Sequence, residues 1–252
     1  MNIDQAYSYC YSIAKGHYEN FPVASTLVPA KLRRHVVAIY AFARRADDIA
    51  DEGDALSDER LETLSLMREA LRTPSDSDPV YMALHATINE FRLPLNLFDR
   101  LLDAFASDVL FRGPETWQDL LAYCNNSANP IGEALLRLDN GGKEPLAQAI
   151  HASNQICTAL QITNFLQDVS IDIQRGRNYL PIPDSEAIKR TAELFDDGSR
   201  ILQHLHSWRL RLEVRSIIFG GKAMLFLCSQ RSDRMLRPTL SLTSMLMYLL
   251  KR

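Results

Sequence analysis

The stretch YAFARRADDIAD, residues 40–51, decides how the rest of the chain is read. In a helix, offsets of 0, 4, 7 and 11 fall on one face, and Tyr40, Arg44, Asp47 and Asp51 have those offsets. Val36, Val37, Ile39 and Phe42 give the same helix an apolar side, so the stripe sits on a helix that packs into an interior. Two carboxylates one turn apart repel each other, and burying them unpaired would force protonation. A cation is therefore expected beside Asp47 and Asp51.

The same arithmetic applies to QITNFLQDVSID at 161–172, where Gln161, Asn164, Asp168 and Asp172 lie at offsets 0, 3, 7 and 11. Ile156, Leu160, Thr163, Leu166, Val169 and Ile173 give this second helix its own apolar side. One DxxxD pair alone reads most simply as a solvated face stabilised by i,i+4 pairing. Two such pairs, each on an apolar helix and each accompanied by Asn or Arg, point instead to a shared ligand. Mg²⁺ suits them, because it takes hard oxygen donors, keeps several waters and binds through one or two carboxylates plus phosphate oxygens. Arg44, with Arg175 and Arg177 just after the second row, supplies donors matched to phosphate. Two facing rows would hold ions around a diphosphate and polarise it for loss as pyrophosphate. An apolar helical interior would shield the carbocation left behind, with Tyr40, Phe42 or Phe165 offering aromatic faces.

Around these rows the chain reads as all-α. Apolar residues recur at three- and four-residue spacing, and alternating strand-length runs are absent. The spacing and the prolines predict helices at about 3–16, 30–53, 57–72, 79–92, 95–111, 116–126, 130–139, 145–174, 185–219, 221–236 and 238–250. Asp78-Pro79 and Asn129-Pro130 each read as an N-cap followed by proline at the first helical position, and Thr116 with Asp119 as a further start. Gly220-Gly221 reads as a helix junction, since no strand–turn–helix context supports a dinucleotide fingerprint. With 252 residues, no linker and no internal repeat, residues 1–252 are expected to form one domain. A net charge of −3 gives no basic excess, so nucleic acid is not an expected partner. Cys10, Cys124, Cys157 and Cys228 lack metal-ligand spacing and read as reduced, mostly buried thiols.

With both rows in hand, the chain resembles the squalene/phytoene synthase family, the head-to-head branch of the all-α isoprenoid synthases, over most of its length. YAFARRADDIAD is similar to that family's first aspartate-rich motif, QITNFLQDVSIDIQRGRNYLP (161–181) to the second, and YCNNSANPIGEALL (123–136) to its central segment. The resemblance implies a single-domain terpenoid synthase fold with a central active-site cavity. It also implies Mg²⁺ at Asp47 and Asp51 and at Asn164, Asp168 and Asp172. Tyr40, Arg44, Gln161, Arg177 and Tyr179 would contact diphosphate or position the cation, and His17 and Asn20 in HYENFPVAS (17–25) would lie beside the substrate. Condensing members tend to have Ser-x-Ser-Phe where Tyr18-Glu19-Asn20-Phe21 stands, and many have Arg at the position of Gln167. Asn126 and Glu133 also stand where Arg is frequent, and Ser232 where Tyr is.

The subgroup this resembles is the bacterial hydroxysqualene synthases of squalene and hopanoid biosynthesis, which implies ionisation of presqualene diphosphate, rearrangement and capture by water. Condensation of two prenyl diphosphates is the alternative within the family, and a non-catalytic scaffold is the alternative outside catalysis. The lyase reading implies partner enzymes that make presqualene diphosphate and that carry hydroxysqualene on to squalene. MNIDQAYSYC has neither the basic start nor the apolar core of a signal peptide, and LSLTSMLMYLLKR (240–252) is short of the ~20 apolar residues that span a bilayer. A cytoplasmic protein is expected, touching the surface of the inner membrane transiently when it collects a C30 substrate.

Overall fold

The computed structural model describes residues 1–16, 25–73, 77–241 and 248–249. Among these, every regular element is helical: α1 (Ile3–Gly16), α2 (Ala30–Asp51), α3 (Ser57–Ala70), α4 (Pro79–Phe91), α5 (Leu95–Val109), α6 (Trp117–Ser127), α7 (Asn129–Asp139), α8 (Ala147–Gln174), α9 (Asp184–Gly198) and α10 (Trp208–Gln230). A 3₁₀ turn, Ser199–Gln203, follows α9. The helices fall into two compact units that alternate along the chain. The first holds residues 1–112, 130–146 and 205–213, and the second 113–129, 147–204 and 214–252.

In the first unit α2 is the central helix, with α1, α3, α4 and α5 packed against it. Its apolar side seats Phe42, fully buried, edge-on to Phe98 at 5.5 Å between ring centres. Burying an aromatic ring contributes about 1.5–3 kcal/mol, so this contact fixes which face of α2 looks inward and which carries the charged stripe. One polar cluster sits inside this core: the Tyr7 hydroxyl, His35 Nδ1 and the Thr87 hydroxyl lie 3.0–3.2 Å apart. Arg34 Nε donates to His35 Nε2 at 3.1 Å, so Nε2 is the acceptor and the neutral ring carries its proton on Nδ1. α4 starts as its sequence says it should. The Asp78 carboxylate accepts from Val80 N at 2.9 Å and Tyr81 N at 3.4 Å, with Pro79 in the first turn.

In the second unit the long α8 packs against α6 and α9, with Ile162 and Leu166 fully buried. Thr116 opens α6 through a reciprocal bond pair with Asp119. Asn129 does not cap as its sequence context suggests; α7 already begins there, and the Asn129 side-chain carbonyl accepts from Thr158 of α8 at 3.1 Å.

The C-terminal third departs from the expected helix pattern. A break at 204–207 replaces a helix running to 219, and α10 continues through Gly220-Gly221 rather than stopping there. The reason is packing. A Cβ on Gly221 would meet Phe195 Cζ at 2.6 Å and Leu160 Cδ2 at 2.8 Å, so the glycine allows α10 to approach α8 and α9 closely. α10 ends at Gln230, and residues 231–241 are non-helical where helices at 221–236 and from 238 were expected. Instead Asp233 accepts from Met235 N in a turn, and the arginines of this segment reach back to α8 and α9.

Candidate active site

The first acidic row lies on the last three turns of α2. Arg44 is the hub: its guanidinium reaches Asp47 at 3.1 Å, Asp48 at 2.6 Å and Glu52 at 2.6 Å. Burial alone would lower its pKa, but Asp47, Asp48 and Glu52 outweigh that and hold it above its ordinary value, so Arg44 is permanently charged. Arg44, Asp47 and Asp51 share the face that the helical spacing assigns to them, all half-buried, with Tyr40 packed partly against the core. Asp48, about 100° round the helix from Asp47, stands one turn after Arg44 and meets it as an ordinary i,i+4 partner, while Glu52, the extended residue just past the end of α2, is reached by the long arginine stem. Three carboxylates thus gather around one guanidinium, with Asp51 one turn beyond Asp47, an excess of negative charge that a divalent cation fits. Arg44 Nε is buried with no hydrogen-bond partner among the described residues, a donor left over for an anion.

The second row runs along α8. Asn164, Asp168 and Asp172 are half-buried, as is Gln161. Asp168 Oδ1 receives Arg237 Nε at 2.5 Å, and its neighbour Gln167, 3% exposed, donates to the Pro238 carbonyl at 3.0 Å. α8 closes with a bond from Arg177 N to Asp172 O at 2.8 Å and one from Gly176 N to Ile173 O at 2.9 Å. This is a Schellman turn, and it needs the left-handed backbone that Gly176 supplies at φ +73°. The turn places the Arg177 backbone directly after the aspartate row.

Beside this row stand three aromatic rings. Phe165 and Tyr179 stack at 4.1 Å with planes 7° apart, and Tyr123 of α6 leans on both at 5.9 and 5.5 Å. Sequence reasoning named Phe165 and Tyr179 and left Tyr123 within a motif without a role. Its signal was there, an aromatic opening the YC segment. Arg237 was missed outright, because nothing in RSDRMLRP marks which arginine folds back.

Within each unit, then, the expected residues of a row share one helix face. Among the described residues no group of three or more His, Cys, Asp or Glu side chains is preassembled as a metal cage. Rows of paired carboxylates fit Mg²⁺ better than a cage would, since that ion keeps waters and shares phosphate oxygens. His17 and Asn20 lie outside the described residues. Glu133, in the central segment, is bound by Arg137 at 3.0 Å and lies 3.9 Å from Arg100, so its charge is balanced within the first unit.

A sequence model for squalene/phytoene synthases matches residues 14–185, which include both rows. The chain belongs to the squalene/phytoene synthase family. That is a family of isoprenoid synthases acting on isoprenoid diphosphates. A hydroxysqualene synthase of Zymomonas mobilis is 38% identical over 184 residues, covering 71% of this chain and 60% of that protein. A phytoene synthase of Mycobacterium tuberculosis is 33% identical over 198 residues, covering 78% and 64%. The chain therefore spans somewhat under two thirds of these relatives' length. In three dimensions this family member is similar to a squalene synthase from Alicyclobacillus acidocaldarius, with a TM-score of 0.81, 30% identity, and coverage of 89% of this chain and 93% of that one. The fold is the all-α terpenoid synthase fold of that enzyme. Among the described residues no helix is long and apolar enough to cross a membrane.

Proposed function

We propose that the protein converts presqualene diphosphate and water to hydroxysqualene and pyrophosphate. In this reading Asp47 and Asp51 of α2 and Asn164, Asp168 and Asp172 of α8 hold magnesium, and both rows serve the same diphosphate. Magnesium, when bound, supplies the positive charge that turns the diphosphate into a good leaving group. Arg44 is fixed in charge and aim by its three carboxylates, and its spare Nε–H donates to a diphosphate oxygen; Arg177 adds a second guanidinium. Tyr40 and Gln161 orient the anion from the head of each row. The C–O bond breaks, its electron pair leaves with pyrophosphate, and the cyclopropylcarbinyl cation rearranges. The faces of Phe165, Tyr179 and Tyr123 stabilise the developing charge. Water then adds to the cation and loses a proton, which completes the alcohol.

The observation that carries the lyase reading over condensation is the state of Gln167. Condensation must hold two diphosphates at once, and many condensing members place Arg at this position. Here the side chain is neutral, buried and committed to the Pro238 carbonyl. One diphosphate needs fewer cationic donors than two. The hydroxysqualene synthase relative supports the same choice, while the phytoene synthase relative keeps condensation as the second reading. Purified protein with Mg²⁺ is incubated with presqualene diphosphate and, separately, with farnesyl diphosphate. Hydroxysqualene and pyrophosphate from the first alone is the expected result; consumption of farnesyl diphosphate alone would replace this reading with condensation. Turnover of neither, with normal pathway output in cells carrying Asp168→Asn, would favour a scaffold. The cytoplasmic setting, the transient contact with the inner membrane and the partner enzymes supplying presqualene diphosphate and consuming hydroxysqualene belong to the same proposal.

A further inference from the structure

The segment after α10 is fastened to α8 at three consecutive residues. Arg231 Nη1 donates to Leu166 O at 2.7 Å, Gln167 Nε2 donates to Pro238 O at 3.0 Å, and Arg237 Nε meets Asp168 Oδ1 at 2.5 Å. The first two side chains are deeply buried, Arg231 at 7% and Gln167 at 3% exposed, and Arg231 is held again by Asp184 at 2.6 Å. The third pair differs: Arg237 is 42% and Asp168 28% exposed, so it alone can exchange with solvent ions. Two buried clasps thus hold the backbone of the strap while an exposed arginine lies across a carboxylate of the second acidic row.

We infer that Arg237 is a positioning residue that holds the cation seat of Asp168 until a divalent ion displaces it, so that metal loading and the release of Arg237 are one event. The inference rests on the reading of Asp168 as a metal ligand. A guanidinium at 2.5 Å takes up one of the two Asp168 oxygens, and a divalent ion brought to the same carboxylate is repelled by it. The neutral Gln167–Pro238 bond takes no part in the exchange, so only the arginine side chain has to move.

The test is metal binding to the full chain without any diphosphate. Free Mn²⁺ is followed by electron paramagnetic resonance during titration, with Mg²⁺ as competitor, and circular dichroism verifies helix content in each variant. Losing a partly exposed ion pair should make Arg237→Gln bind Mn²⁺ about two- to five-fold more tightly. Arg237→Lys, which keeps the competing charge, should stay near the parent, and adding Asp168→Asn to Arg237→Gln should erase the gain. Unchanged or weaker binding in Arg237→Gln, with Asp168→Asn still weakening Mn²⁺, overturns the inference and leaves the metal reading standing. Indifference of Mn²⁺ affinity to Asp168→Asn overturns both. In the unsubstituted protein, modification of Arg237 by an arginine-selective dicarbonyl, read by peptide mass spectrometry, should rise when Mn²⁺ is added; a constant rate counts against the exchange whatever the variants do.

Discussion

Arg44 shows what a single residue contributes and how much of it a sequence exposes. Its place on the stripe with Tyr40, Asp47 and Asp51 follows from helical spacing alone. Its pairing with Asp48, four residues on, follows from the same spacing; its bond to Glu52 does not, because that residue lies past the helix end and only a guanidinium on a long stem reaches it. Replacing Asp47 or Asp168 with Asn keeps size and removes a metal-binding charge. Each should cost about 100-fold or more in turnover of presqualene diphosphate, measured as pyrophosphate release, whereas His204→Ala should leave it within about two-fold. Equal losses at all three positions would detach the acidic rows from the chemistry. His35 makes a second prediction at this scale. Burial holds its pKa below the ordinary value, with Glu90 opposing and Arg34 reinforcing that shift. The folded chain therefore resists protonation of a ring that the unfolded chain titrates near pH 6.5. Stability from this site is fully present above that pH and declines as pH falls through and below it. Urea midpoints at pH 7.5 and 5.5 should differ more in the parent than in His35→Gln.

At the scale of elements, helix starts were legible where the signal is local. Asp78-Pro79 and Thr116 with Asp119 cap as read, because their partners lie within three residues. Asn129 offers the same local signal and bonds Thr158, 29 residues away, which a local reading cannot see. Gly220-Gly221 misled for a related reason. A glycine pair inside a helical pattern looks like a stop, yet here one of the two makes room for Phe195 and Leu160. Gly221→Ala gains helix propensity of about 1 kcal/mol but crowds those side-chain tips, an overpacking cost of about 1–3 kcal/mol. A melting temperature lowered by a few degrees is expected, and Gly220→Ala, whose added Cβ meets nothing within 4 Å, should be neutral or stabilising. A rise in both variants would mean that α10 does not depend on close approach.

For the whole molecule, helical class and family were readable from periodicity and motifs, whereas the way the chain distributes itself was not. The polypeptide passes between its two compact units after residues 112, 129, 146, 204 and 213, with no composition shift to mark any crossing. Neither unit is a continuous segment, so neither can finish folding before residues beyond 200 are available. A calorimetric scan should accordingly show one cooperative transition, and two well-separated transitions would contradict that expectation. Three thiols extend the point. Cys10 in the first unit and Cys124 and Cys228 in the second are all buried, and burial pushes each thiol up, Cys10 and Cys228 to about 11. Alkylating reagents act on thiolates and need access, so these sulfurs stay silent in the native state and report only on its excursions. The chain thus carries internal clocks in both halves, and brief pulses of iodoacetamide would time how often each one breathes.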